Sequence, residues 1–275
     1  MIHWLGVVVL AACAGLSQAG EPVAGGTPPV ILAHRGGSHE YEENTMAAFR
    51  ASYERGVRGF ETDVRMTRDG VLVILHDDTL NRTHQATGTV EEKTAEELRS
   101  VKTKKTGEAM LSLDDLLAYF ADKPGIYLEL EMKTGKQAVY PDEKLEEYCR
   151  KLHAAAAAKR PPDALYVFTS FDERPLKVMK RLFPEAELML ITGGPCNAQI
   201  VARAQALGIR RIGCRNEETS RAGVRAAQKA GLKVTGWPGH TLEDYLLGVG
   251  LGFDAICTDI PVAIHQWKTA HLPGR

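Results

Sequence analysis

The sequence has no excess of charge of either sign: 34 Lys and Arg stand against 35 Asp and Glu over 275 residues. Holding nucleic acid by counterion release needs a broad basic face, so nucleic acid is not an expected partner. Thiolates are sparse. The five cysteines form no Cys-x-x-Cys and no Cys/His cluster, which argues against a zinc site built on sulfur. Long apolar runs are also missing, because the stretch at 4–13 is too short to cross a bilayer as a helix. No linker divides the chain, and the run at 154–158 is its one low-complexity tract. With 44% hydrophobic and 25% charged residues, one large globular domain is expected.

The first residues read as an export signal. Residues 1–19 combine the apolar stretch with the small residues Ala14, Gly15, Ser17 and Ala19. Two processing routes fit: cleavage after Ala19, or a lipoprotein box at Leu10-Ala11-Ala12-Cys13 that leaves Cys13 lipidated. Either implies a periplasmic, cell-envelope or secreted protein, touching a membrane only through an anchor at Cys13. Residues 20–28 form a Gly- and Pro-rich leader, and the domain occupies 29–275. An oxidising compartment would permit disulfides among Cys149, Cys196, Cys214 and Cys257, with no pairing implied by spacing.

Short β-rich runs predict eight strands, at 30–33, 59–64, 125–132, 165–169, 188–191, 210–213, 232–237 and 254–258. Helical periodicity predicts seven helices between them, at 45–55, 113–121, 142–158, 174–182, 197–207, 218–230 and 242–248, with Ser112 and Asp115 as a capping box. Alternation of this kind implies parallel strands with right-handed crossovers. Eight units favour an α/β fold of the (β/α)8 TIM-barrel type, and an open doubly wound sheet is the alternative. No Gly-x-Gly-x-x-Gly follows the first strand. Asp69-Gly70 signals a small hairpin after the second strand, returning through 71–76, and an irregular insertion follows at about 80–110.

Chemistry-bearing residues fall at predicted strand ends. His34-Arg35-Gly36-Gly37 leaves the first strand with a proton carrier, a planar phosphate fork and two glycines. Glu61 and Asp63, two apart on a strand, point to one face and would attract a divalent cation, Ca2+ or Mg2+. Glu129, Glu131 and Lys133 alternate with Leu128, Leu130 and Met132, an unusual pattern for a covered parallel strand unless the charges are paired or bind metal. His76, ending the hairpin, brings a second imidazole toward the carboxylates. An acid and base pair beside oxygen ligands suits phosphodiester cleavage. The remaining histidines, His39, His84, His153, His240, His265 and His271, read as surface or supporting residues.

Taken together, His34-Arg35-Gly36, Glu43-Asn44-Thr45, Glu61-Thr62-Asp63-Val64 and His76-Asp77-Asp78-Thr79-Leu80-Asn81-Arg82-Thr83 resemble the amino-terminal signature of glycerophosphodiester phosphodiesterases. Glu131-Met132-Lys133, Ser170-Phe171, Trp237 and Thr258-Asp259-Ile260-Pro261 resemble its later motifs. The resemblance implies a metal-dependent barrel enzyme that releases glycerol phosphate and an alcohol from a small glycerophosphodiester. It implies His34 and His76 as acid and base, and Glu61, Asp63 and Glu131 as ligands of one divalent cation. Arg35, Lys133 and Trp237 would bind substrate, with Glu43, Asn44 and Glu129 in support. Two positions depart from the family: Glu42 replaces a common Pro, and Pro238-Gly239-His240 replaces Thr-x-Asn. The rivals are a non-catalytic barrel that binds phosphodiesters or headgroups, and a lysophospholipase of the phospholipase C-like group.

Overall fold

The structure, a computed structural model, describes residues 28–271. The export signal, Cys13 and all of the leader but Pro28 lie outside the described residues.

Strands β1 (Val30–His34), β2 (Gly59–Met66), β4 (Tyr127–Met132), β5 (Leu165–Ser170), β6 (Glu187–Ile191), β7 (Arg211–Arg215), β8 (Lys233–Gly239) and β9 (Ala255–Thr258) are all parallel. β1 pairs with β2 on one side and β9 on the other, so the sheet closes on itself. Closure decides between the two architectures: the chain is a (β/α)8 TIM barrel, not an open sheet. The extra strand β3 (Leu72–Ile74) is antiparallel to β2 and is the return arm of the expected hairpin.

The helices are α1 (Met46–Glu54), α2 (Ala95–Leu98), α3 (Leu113–Phe120), α4 (Asp142–Lys159), α5 (Glu173–Leu182), α6 (Ala198–Ala206), α7 (Arg221–Lys229), α8 (Leu242–Leu251) and α9 (Pro261–His271). Residues 154–158 sit in α4, where alanine costs nothing in helix propensity. Two helices were not expected. α2 is a single turn inside the insertion, closed by a capping box between Thr94 and Glu97. α9 is capped across the whole chain: the Val262 and Ala263 amides donate to the Glu40 carboxylate at 3.0 and 2.8 Å. A cap so distant in sequence leaves no local signal. At α3, half of the expected box forms. The Ser112 hydroxyl accepts from the Asp115 amide, but the Asp115 carboxylate accepts that hydroxyl rather than the Ser112 amide.

Side chains on alternate strand positions divide the core. Phe60, Val64, Leu128, Leu130 and Phe168 point outward into the shell between strands and helices. Leu32, Val167, Met189, Ala255 and Cys257 fill the barrel interior with Tyr127 and Trp237. Every residue of β2 is buried, Glu61 and Asp63 included. The four cysteines of the described residues are buried and unbridged, so the disulfides that an oxidising compartment would permit are not formed.

Candidate active site

The carboxyl ends of the strands open into a cavity of about 360 Å³ lined by His34, Arg35, Glu61, His76, Glu131 and Trp237 among others. Chemistry is divided around the rim. The β1 to β4 half brings the charged groups His34, Arg35, Glu61, Asp63, His76, Glu131 and Lys133 together. The β5 to β8 half contributes an apolar wall that includes Phe171, Met189, Ile191 and Trp237, with the Phe171 and Trp237 rings packed edge to face at 5.5 Å.

Glu61 and Asp63 of β2 and Glu131 of β4 converge, as the two-residue spacing required, with one oxygen of each within 4.8 Å of the others. Burial and the charges of Asp63 and Glu131 push the Glu61 carboxyl well above its ordinary range. Burial also opposes ionisation of Asp63, but Lys133, Arg35 and His76 outweigh it and hold that carboxyl below its usual range. Asp63 Oδ1 is buried with no hydrogen-bond partner, although the Lys133 ammonium stands 3.5 Å away. Three crowded carboxylates with an orphaned buried oxygen fit a hard divalent cation, since the donor set is all oxygen.

Two fixed cations border this cluster. Arg35 is held in a left-handed conformation, φ 52°, between β1 and Gly36. There its amide donates to Glu61 at 3.1 Å and its guanidinium lies 3.5 Å from Asp63. Gly36 is required at the next position: its φ is 84°, and a Cβ would sit 2.8 Å from that of Ala48. Lys133 donates to Glu131 at 2.9 Å. Asn44, also left-handed at φ 57°, donates to Asp63 at 2.9 Å and accepts from Thr62 at 3.0 Å, which fixes the carboxylate's orientation.

Each imidazole of the cavity has an aspartate behind it. His34 Nδ1 donates to Asp259 Oδ1 at 2.5 Å, leaving its Nε2 on the carboxylate side, 3.9 Å from Glu61. His76 Nδ1 donates to Asp77 at 2.8 Å. Asp77 is gripped by Arg82, which also binds Glu43, and Glu43 in turn accepts from Arg35 at 3.2 Å. Glu43 therefore ties Arg35 to the His76 side through Arg82. Glu129 lies deeper in the barrel, where Tyr127 donates to it at 2.7 Å and burial pushes its carboxyl up to about 7. It stands below the cluster rather than in it. Trp237 lines the cavity through its ring, and its indole N–H has no partner.

Sequence reasoning missed two contributors to the site. Arg65, buried at the far end of β2, donates to the His76 carbonyl at 2.9 Å and to Asp78 and Glu91. Asp259 receives His34, Ser38 and His240. His39 and His240, set aside as surface or supporting residues, stack on each other at that same aspartate. Its place in the closing Thr-Asp-x-Pro motif was the available signal. Glu42, the departure from proline, is buried and accepts the Lys105 and Thr106 amides at 2.9 and 2.8 Å, fastening the insertion to the β1 loop.

A model of the glycerophosphoryl diester phosphodiesterase family matches residues 34–263, from the first catalytic candidate to the start of α9. The chain belongs to that family. It is 28% identical over 244 residues to a glycerophosphodiester phosphodiesterase of Caldanaerobacter subterraneus, covering 84% of this chain and 94% of that one. Among solved structures, an Oleispira antarctica phosphodiesterase in complex with the product sn-glycerol-3-phosphate superposes with TM-score 0.77 at 24% identity, covering 87% of this chain and 96% of that one. A putative glycerophosphoryl diester phosphodiesterase from Silicibacter pomeroyi superposes with TM-score 0.78 at 24% identity, covering 85% and 90%. At these identities the structural likenesses speak for the barrel fold.

Proposed function

We propose that this member of the family hydrolyses small glycerophosphodiesters to glycerol phosphate and an alcohol. The observation that carries the reading is the pair of aspartate-backed imidazoles, His34 and His76, facing one cavity with the Glu61, Asp63 and Glu131 carboxylates. A binding protein would use the cations and carboxylates, but it has no need of two oriented proton carriers.

In this mechanism Arg35 and Lys133 hold the non-bridging phosphate oxygens. One imidazole removes the proton of the attacking hydroxyl, and the other returns a proton to the leaving alcohol oxygen as the P–O bond breaks. The attacking hydroxyl belongs either to water, giving glycerol phosphate directly, or to the substrate's own glycerol, giving a cyclic phosphate whose ring a water then opens with the two imidazoles exchanging roles. A Ca2+ or Mg2+ ion held by Glu61, Asp63 and Glu131 would supply positive charge to the phosphate. The aspartates keep each ring in one tautomer, with Nε2 available for transfer.

The apolar wall bearing Trp237 is placed to receive the alcohol moiety. Among the exposed large hydrophobics of the described residues, Val30, Val71, Leu246 and Leu247 do not line the cavity and Phe171 does, so the described residues give its mouth no broad apolar lip for a membrane lipid. That favours a water-soluble substrate over a lysophospholipid. The amino-terminal pattern supports export, free after cleavage or anchored at Cys13.

The deciding experiment is release of glycerol phosphate from glycerophosphocholine by the purified chain, with chelator, Mg2+ and Ca2+ compared. Release that is abolished by chelator and restored by one metal establishes reaction and ion together. No release with any metal, while the compound still binds, would replace this reading with the binding protein.

A further inference from the structure

Asp259 uses its two oxygens differently. Oδ1 faces His34 and Ser38, each at 2.5 Å. Oδ2 faces the Nδ1 of His240 and, at 3.4 Å, the Nε2 of His39. The two rings arrive from separate loops, one after β1 and one at the end of β8, and stack with centroids 5.2 Å apart and planes 18° from parallel. One nitrogen of each ring and the carboxylate oxygen lie within 4.8 Å of one another. The carboxylate is 3% exposed while the His39 and His240 side chains are 53% and 49% exposed, so the group opens to solvent on its imidazole side.

We propose that His39, His240 and Asp259 form a second metal site, taking a borderline transition ion such as Zn2+. Two imidazole nitrogens and one carboxylate oxygen, with the remaining position left to water, are a common donor set for that ion. Ligands around tetrahedral zinc stand about 3.3 Å apart. The His39 to Asp259 separation, 3.4 Å, already matches this, while the His240 ring has to draw back from the carboxylate and turn out of its stack on His39. The deeper Glu61, Asp63 and Glu131 group is all oxygen and suits a hard cation, so the two sites differ in chemical softness. They are linked through His34, whose Nδ1 depends on the oxygen partner of the zinc-binding carboxylate. Zinc at the rim therefore slows turnover by drawing Asp259 toward itself and loosening its hold on His34. This last consequence rests on the proposed hydrolysis; the binding does not.

The test uses the purified full chain in excess Ca2+ or Mg2+, with Zn2+ titrated by calorimetry and counted after dialysis. A single zinc retained per chain is expected. His39→Gln is expected to weaken it by more than about tenfold, the smallest effect that loss of even an outer-shell partner produces, while turnover without zinc stays unchanged. Glu131→Gln is expected to retain the zinc. Co2+ offers a second readout, because imidazole ligation gives visible absorption that His39→Gln should remove. Equal zinc retention in wild type and His39→Gln, or no retention in either, overturns the site. An inactive enzyme that still binds zinc in this pattern leaves the site standing and removes only its effect on rate.

Discussion

Asp259 holds His34 from behind, Oδ1 to Nδ1 at 2.5 Å, although the two residues are 225 positions apart in the chain. Burial alone would raise the Asp259 carboxyl, but hydrogen bonds from His34, Ser38 and His240 keep it below the usual range. It therefore acts as a fixed acceptor that sets the ring's tautomer. Asp259→Asn should lower kcat by about 10²-fold or more with little change in KM. Steady-state kinetics check this, and an unaltered kcat would reduce Asp259 to a structural residue.

His34→Ala and His76→Ala should each lower turnover by about 10²–10⁴-fold. Both rings are partly exposed in the cavity, so circular dichroism and the thermal midpoint should scarcely move. A rate within twofold of wild type in either variant would remove that histidine from proton transfer.

Glu61→Gln should remove a ligand and relieve crowding at once. Metal affinity falls, and the chelated protein becomes more stable near neutral pH, because burial and the neighbouring Asp63 and Glu131 carboxylates disfavour ionisation of Glu61 and the amide removes that cost. Isothermal titration of Mg2+ and Ca2+ beside chemical denaturation in chelator reports both. Unchanged affinity would place the ion elsewhere.

Glu129 makes stability depend on pH. Its folded carboxyl lies at about 7, above the ordinary value of about 4.3, so the folded state binds the proton more tightly than the unfolded chain. Stability is then greatest below the unfolded value, declines as pH rises through the window between them, and is lower by about 4 kcal/mol above the folded value. Glu129→Gln keeps an acceptor for Tyr127 and removes the titration. Its melting temperature in chelator should be flatter than that of wild type between pH 5 and 8. Parallel curves would refute the assignment.

Arg65 joins Glu91, Asp78 and the His76 carbonyl, and both Arg65 and Glu91 are buried. Arg65→Met should cost about 3 kcal/mol or more, because Glu91 is left as an unpaired buried charge. It should also impair turnover through His76. Urea denaturation measures the first effect, and a loss below 1 kcal/mol would show that the pair contributes little.

The barrel was legible because its strands are short and regularly spaced between helical periods, and seven of the helices fell where that rhythm placed them. The carboxylate triad was legible for a similar reason: side chains two apart on a strand share a face, so Glu61 and Asp63 had to meet whatever the neighbouring parallel strand presented. What stayed hidden was joined over long distances. Glu40 capping α9, Asp259 behind His34, and Arg82 bridging Glu43 to Asp77 each depend on loops meeting above the barrel, where no periodicity reports which side chain touches which. The stacking of His240 on His39 stayed hidden for the same reason, since a histidine replacing an asparagine gives no hint that another imidazole lies over it.

The division of the rim has a meaning for how such an enzyme can change. The groups proposed to handle phosphate and protons come mostly from the first half of the chain, whereas the apolar wall proposed to receive the alcohol comes from the second. Substitutions after β5 can therefore explore new leaving groups while the reaction itself is inherited intact, with His34 answering to the second half through the single thread of Asp259. A lineage can rewrite what it eats without relearning how to bite.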